Sequence, residues 1–284
     1  MQNKIKISSY ILGIFLIILV GWFLFWHINK PQEETVVETK NNITTHIPPT
    51  TIVPAAVTDT NDAPKVVPAA VPIFMYHYIR DYTDANDPIG ENLSVSPKKF
   101  EAQIAWLKSH NYQTVFPMFF KNPEALSAKP IILTFDDGYQ DAFDNAFPIL
   151  QKYDLRGMFY LIVNKVNTPG YLTWDEILTM QRAGMVFGSH TLTHPNLQNM
   201  SPSDLQKELG GSENILEQKL GTKITDFCYP SGKYDAAAQS ELSKDGYQTA
   251  VTTAPGLANM QDNPLLLKRW RIMENTNIAS LLEK

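Results

Sequence analysis

Ile131-Ile132-Leu133-Thr134-Phe135-Asp136-Asp137-Gly138-Tyr139 is an apolar run that ends on two adjacent carboxylates and a glycine. The run reads as a strand. Neighbouring side chains on a strand point to opposite faces, but at its end, ahead of Gly138, the chain turns and both carboxylates can reach one pocket. Two unpaired carboxylates in an apolar setting are costly unless a cation or a donor compensates them. The competing reading is an Asp-Asp-Gly surface turn, and the strand running directly into it weighs against that. A second stretch, Ser189-His190-Thr191-Leu192-Thr193-His194-Pro195, offers two imidazoles four residues apart. On a helix, or around a tight loop, they converge within chelating distance. Oxygen and nitrogen ligands with one position left open are the usual pattern of a catalytic divalent metal, and a spare carboxylate beside them is a ready base. The two stretches together point to metal-assisted hydrolysis.

Outward from these motifs, strand-like and helix-like patterns alternate. Residues 73–76, 131–135, 158–163, 185–187, 224–229, 248–252 and 266–272 read as strands. Ser96-Pro97 opens a helix with an apolar stripe of Phe100, Ile104 and Leu107, Ser serving as N-cap and Pro as first helical residue. Residues 142–153 read as a helix carrying Phe143, Phe147 and Leu150. Thr173-Trp174-Asp175-Glu176 is a capping box ahead of Ile177 and Met180. A further helix opens at Ser201-Pro202 and ends at Gly221. This alternation predicts an α/β fold with a parallel sheet, open or closed into a barrel, and the motifs all fall just after strands, where such folds place their chemistry.

The ends of the chain read differently. Residues 8–26 carry no charge, and as a helix they would rise about 28 Å, close to a bilayer's hydrocarbon thickness. Lys4 and Lys6 precede them, Trp22 and Trp26 sit near the far end, and no small-x-small cleavage site follows. Residues 1–30 are therefore expected to be a cytoplasmic N-terminus and an uncleaved transmembrane anchor. Residues 31–71, rich in Pro, Thr, Val and Ala, suit a disordered extracytoplasmic linker, which leaves residues 72–284 for the catalytic domain. The net charge of −5 falls wholly on residues 73–284; no basic run suggests nucleic acid. Cys228, the single cysteine, rules out an intrachain disulfide and reads as a small buried hydrophobe.

His77, in Met75-Tyr76-His77-Tyr78, directly follows the first strand. An imidazole opposite a metal is suited to protonate a leaving amine; a histidine packed among aromatics is the bland alternative. His27, His46 and His110 lack such company and receive no role.

Four ordered motifs carry a resemblance: Pro-Ile-Phe-Met-Tyr-His at 72–77, Thr-Phe-Asp-Asp-Gly-Tyr at 134–139, Gly-Ser-His-Thr-Leu-Thr-His-Pro at 188–195 and Phe-Cys-Tyr-Pro-Ser-Gly-Lys-Tyr at 227–234. Together they resemble the polysaccharide deacetylases, carbohydrate esterase family 4 (the NodB homology domain). The resemblance implies a distorted (β/α) barrel of about seven strands. It implies a metal, usually zinc, with cobalt or nickel as alternatives, held by Asp137, His190 and His194. Asp136 would be the base toward the attacking water, and a backbone N–H near Ser231, in the Tyr229-Pro230-Ser231-Gly232 turn, would form the oxyanion hole.

Two departures stand out. Many members pair the base with an arginine at the position that is Cys228 here; Arg269 would supply that charge from the last strand, with Arg271 as runner-up. Many also place the acid histidine late in the chain, yet none follows His194. His77 would substitute, as in the branch resembling poly-N-acetylglucosamine deacetylases. The expected function is N-deacetylation of an N-acetylglucosamine polymer, exopolysaccharide or peptidoglycan, outside the cytoplasmic membrane. O-deacetylation uses the same chemistry. A carbohydrate-binding relic of the fold would show loss of a ligand or of the base, and none is lost.

Overall fold

The computed structural model describes residues 65–283 apart from Ala85 and Ser127. The expected anchor at residues 8–26, and the linker up to residue 64, lie outside the described residues. The last part of the expected linker belongs to the domain instead, Val66 bridging Leu126 and the strand Ala70–Val71 pairing antiparallel with Ala258–Asn259 because Val71 is buried in the core. Among the described residues no helix is long and apolar enough to cross a membrane.

Seven parallel strands form the frame: β1 (Ile73–Tyr76), β2 (Lys129–Phe135), β3 (Met158–Leu161), β4 (Val186–Ser189), β5 (Asp226–Cys228), β6 (Thr249–Val251) and β7 (Trp270–Arg271). Their spatial order is β6-β5-β4-β3-β2-β1-β7. A parallel bridge between Val251 and Leu267 joins β6 to the segment entering β7, bringing the two edges of the sheet together. The result is a distorted, incompletely paired barrel: the alternation of elements predicts the parallel sheet, and the resemblance implies the distorted closure. The expected strand over 266–272 shrinks to Trp270–Arg271. Leu267 pairs toward Val251 and Arg269 N–H donates to the Ala254 carbonyl, so this stretch bends instead of running straight.

Alternation along the strands sorts two cores. Phe74, Tyr76, Phe135, Phe159, Phe187 and Phe227 point outward and pack under the helices. Ile73, Ile132, Met158, Tyr160 and Cys228 point inward and fill the barrel. Gly188 lies where three strands crowd this interior. A Cβ there would come within 2.6 Å of the Asp226 carbonyl and the Met158 methyl, too close for any side chain.

The helices follow their local signals. Ser96 Oγ accepts from Lys99 N at the start of a helix over Pro97–Ser109, and both bonds of the Thr173–Glu176 capping box form ahead of Trp174–Arg182. The long helix Pro202–Leu220 ends at Gly221. The helix expected over 142–153 departs from plan: Ala142–Ala146 winds as a π-turn before Phe147–Lys152 becomes α-helical. Pro148 explains the change, since it has no N–H for the Asp144 carbonyl and its ring needs room in that turn. The sequence reading also missed a short strand, Tyr112–Thr114, beside β2 and two helices, Pro88–Leu93 and Ala236–Lys244.

Candidate active site

The inward rows of the strands continue into the loops at their C-terminal ends and deliver the chemistry. In β2 the row Ile132, Thr134 ends on Asp136. His77 continues the row of β1 that includes Ile73, and His190 follows Gly188 of β4. Asp137 would by alternation face away, but its φ of 73° breaks the extended path and returns its side chain to the same mouth. All four line one cavity of about 380 Å³, with His194, Tyr229, Ser231 and Arg271.

Asp136 is 3% exposed and Arg269 is fully buried. The guanidinium grips the carboxylate with both arms, Nη1 to Oδ1 and Nη2 to Oδ2, each at 2.7 Å. Its Nε donates to the Thr252 carbonyl at 2.9 Å, and Nη1 also donates to Thr134 Oγ1 at 2.9 Å. Arg269, not the runner-up Arg271, thus faces the carboxylate, in the planar two-bond geometry that suits guanidinium. Burial alone would raise the Asp136 carboxyl, but the charge and hydrogen bonds of Arg269 outweigh it and hold the group well below the usual carboxylate range.

Across the mouth, Asp137 Oδ1 lies 3.4 Å from His190 Nε2 and 3.7 Å from His194 Nε2. A tetrahedral ion bound at about 2.1 Å sets its ligands roughly 3.4 Å apart, so the three atoms fit a divalent metal. The histidine stretch forms a loop, not a helix, with φ of 67° at Thr191 and 63° at His194. His190 Nδ1 donates to the Cys228 carbonyl at 2.6 Å, which turns Nε2 toward Asp137 as the nitrogen available to a metal. Asp136, His190 and Cys228 also lie within ligand reach of one another. However, Arg269 Nη2 sits 2.7 Å from Asp136 Oδ2 and 3.2 Å from Cys228 Sγ, so a cation there would press on a guanidinium. The Asp137–His190–His194 set is the better metal centre.

His77 Nε2 lies 3.9 Å from Asp136 Oδ2. Burial pushes its imidazole down to about 4, against the upward pull of Asp136 and Asp137. The Tyr229–Gly232 turn closes another side. Ser231 has φ of 52° and Gly232 of 67°, and a Cβ on Gly232 would run into Thr253 Oγ1. In the first turn of the short helix Pro230–Gly232, the Ser231 amide has no acceptor within the helix.

Every site residue expected from sequence therefore reaches this mouth, and two more belong with them. Cys228 is buried as expected, yet it is more than a hydrophobe: its sulfur touches Asp136 Oδ2 at 3.5 Å and its carbonyl orients His190. Glu208, buried on Pro202–Leu220, accepts from the amides of Leu192 and Thr193 and from Thr193 Oγ1 at 2.8–3.0 Å. It pins the histidine loop from behind. In sequence it reads as one more charge on a helix, and nothing ties it to a loop fourteen or more residues upstream. His110, given no role, is engaged with Trp106 on the far side of its helix end.

A barrel whose strand ends converge on a two-carboxylate, two-histidine centre defines a class of hydrolases, and comparison with known proteins agrees. The sequence pattern of the polysaccharide deacetylase family matches residues 124–250. The YxkH protein of Bacillus subtilis (strain 168) is 32% identical over 209 residues, covering 72% of each chain. A poly-beta-1,6-N-acetyl-D-glucosamine N-deacetylase of Staphylococcus epidermidis is 27% identical over 202 residues, 62% of this chain and 70% of that one. Among solved structures, the Streptococcus pyogenes deacetylase PplD in complex with acetate superposes with a TM-score of 0.71 at 31% identity, covering 76% of this chain and 98% of that one. BC0361, a polysaccharide deacetylase from Bacillus cereus, gives 0.67 at 34% identity over 75% and 68%. The chain belongs to the polysaccharide deacetylase family, carbohydrate esterase family 4. It is a hydrolase of a metal-dependent family and carries a candidate Asp/His metal site.

Proposed function

We propose that this chain removes N-acetyl groups from an N-acetylglucosamine-containing polysaccharide outside the cytoplasmic membrane. Residues 8–26 hold it there, with residues 31–64 as the tether. The observation that carries the reading is the division of labour at the mouth: Asp136 locked to Arg269 at 2.7 Å, and Asp137 placed 3.4–3.7 Å from two histidine nitrogens. A divalent metal, zinc in this reading, would be held by Asp137, His190 and His194 and would supply Lewis acidity toward the acetyl carbonyl and the attacking water.

The chain's own residues do the rest. Arg269 keeps Asp136 ionised and fixed, with lone pairs left over to take a proton from water. The Ser231 amide donates to the oxygen that gains charge as water adds to the acetyl carbon. The C–N bond then breaks, acetate forms, and the sugar nitrogen needs a proton. Burial favours the neutral imidazole of His77, which lies 3.9 Å from Asp136. In this reading the proton that Asp136 takes from water reaches the sugar nitrogen through His77, by a closing of that gap or by one water. Water is thus split between acetate and amine with no net proton drawn from the resting enzyme.

The full chain, supplied with zinc or cobalt, is expected to release acetate from chito-oligomers, poly-N-acetylglucosamine or peptidoglycan. No release from any of the three, with metal bound, would sink the reading.

A further inference from the structure

Two arginines rise into the mouth from the last strand, and only one of them is used. Arg269 is saturated by Asp136, Thr134 and Thr252. Arg271, two residues on and so on the same side of the chain, lines the catalytic cavity with His77 and Tyr229. Among the described residues its guanidinium makes no hydrogen bond or ion pair. It is half-buried, and that burial works against its charge, a cost normally offset by a partner.

Asp136 and Asp137 favour its charge from a distance, but neither bonds it, because Asp136 is gripped by Arg269 and Asp137 faces the histidines. Nor does the reaction call for a loose cation at this point. The sugar leaves as an amine, which takes up a proton and would be repelled by Arg271. Arg271 shares the cavity with His77, close enough for its charge to bear on the imidazole that the deacetylase reading sets beside the leaving sugar nitrogen. A fixed guanidinium there is a liability for a neutral polymer and a receptor for an acidic one.

We propose that Arg271 is a specificity-determining residue that receives an anionic group, carboxylate or phosphate, carried by the glycan on or beside the N-acetylated sugar. The inference rests on the deacetylase reading and narrows its substrate class. Its planar fork matches either oxyanion with two bonds.

The test measures acetate release by the metal-loaded full chain from three substrates. These are chitotetraose, a tetrasaccharide of alternating N-acetylglucosamine and N-acetylmuramic acid, and chitotetraose bearing a 6-phosphate. At least one acidic substrate should exceed chitotetraose in kcat/KM by about tenfold or more, and the winning arm tells carboxylate from phosphate. R271Q should erase that advantage through KM, lowering kcat/KM on the acidic substrate at least about tenfold more than on chitotetraose, and R271K should restore part of it. A wild-type enzyme indifferent to the acidic group would overturn the inference while leaving the deacetylase reading intact. So would an R271Q variant that loses activity equally on all three substrates. No acetate from any substrate would end both.

Discussion

Asp136 and Asp137 are neighbours in sequence, yet the two sides of the barrel mouth treat them in opposite ways. On one side the carboxylate is 3% exposed and clamped by a fully buried arginine. On the other, Asp137 faces a histidine, His194, whose side chain is 32% exposed and whose loop is held from behind by Glu208. The first side is internally neutral and complete. The second presents the Asp137 oxygen to two histidine nitrogens 3.4 and 3.7 Å away. The contrast teaches what each half is for: a reacting group is best fixed before the substrate arrives, whereas a ligand set must stay reachable for its ion.

The comparison breaks most directly by exchanging the chemistry of the two aspartates. Asp136→Asn should lower kcat by about ten-thousandfold, the upper end of what a general base supplies. Zinc affinity, read by titration calorimetry, should stay nearly unchanged. His194→Ala should lose both. If Asp136→Asn weakened zinc binding as much as His194→Ala, the assignment of separate jobs would fail.

A smaller effect probes the clamped side alone. Arg269→Leu leaves Asp136 buried without its partner, and breaking such a pair by removing one member costs about 3–5 kcal/mol. Urea unfolding of metal-free protein should show that loss. A cost below about 1 kcal/mol would mean that the carboxylate finds water or another donor, and that this side is less sealed than its exposure suggests.

The smallest effect concerns His77, which bridges the two sides. Its imidazole titrates at about 4 when folded, against 6.5 ordinarily, because burial disfavours the charged form. Between those values the unfolded chain binds a proton that the folded chain refuses. The stability tied to this group is therefore complete above about pH 6.5 and lost as pH falls toward 4, a change of about 3 kcal/mol. His77→Gln should flatten the decline of the urea midpoint over that interval in metal-free protein. An unaltered slope would show that His77 is freer to charge than its surroundings imply.

Much of this architecture was legible before any coordinates. The β2 strand with its terminal carboxylates, the Ser96 and Ser201 caps and the Thr173–Glu176 box are local signals, and local signals survive folding when the apolar pattern agrees with them. The ligand residues were legible because Asp137, His190 and His194 sit in short motifs at strand ends. Other features depended on tertiary context. Nothing near Cys228 announces that its carbonyl orients His190, because that bond spans 38 residues. Glu208 is likewise identified only by what its helix packs against. The choice between Arg269 and Arg271 turned on depth, which two basic residues on one side of a strand-like stretch do not reveal: Arg269 is fully buried against Asp136, and Arg271 lines the cavity. The π-turn at Ala142–Ala146 had its cause in plain view, in Pro148, but proline alone does not say whether a helix will stop, kink or widen.

The inward rows carry one last consequence, for how such a chain can vary. His77, Asp136, His190 and Cys228 each sit an even number of residues from an inward-facing residue of their own strand: Ile73, Ile132, Gly188 and, for Cys228, itself. The centre is therefore set by parity. Inserting one residue within β2 below Asp136 would turn the base out under the helices, while lengthening the connection between Leu161 and Trp174 by several residues would leave its aim untouched. Natural length variation in this enzyme is expected to collect in the connections and to spare the strands, and a deletion scan scored for acetate release would trace that two-residue rhythm along each one.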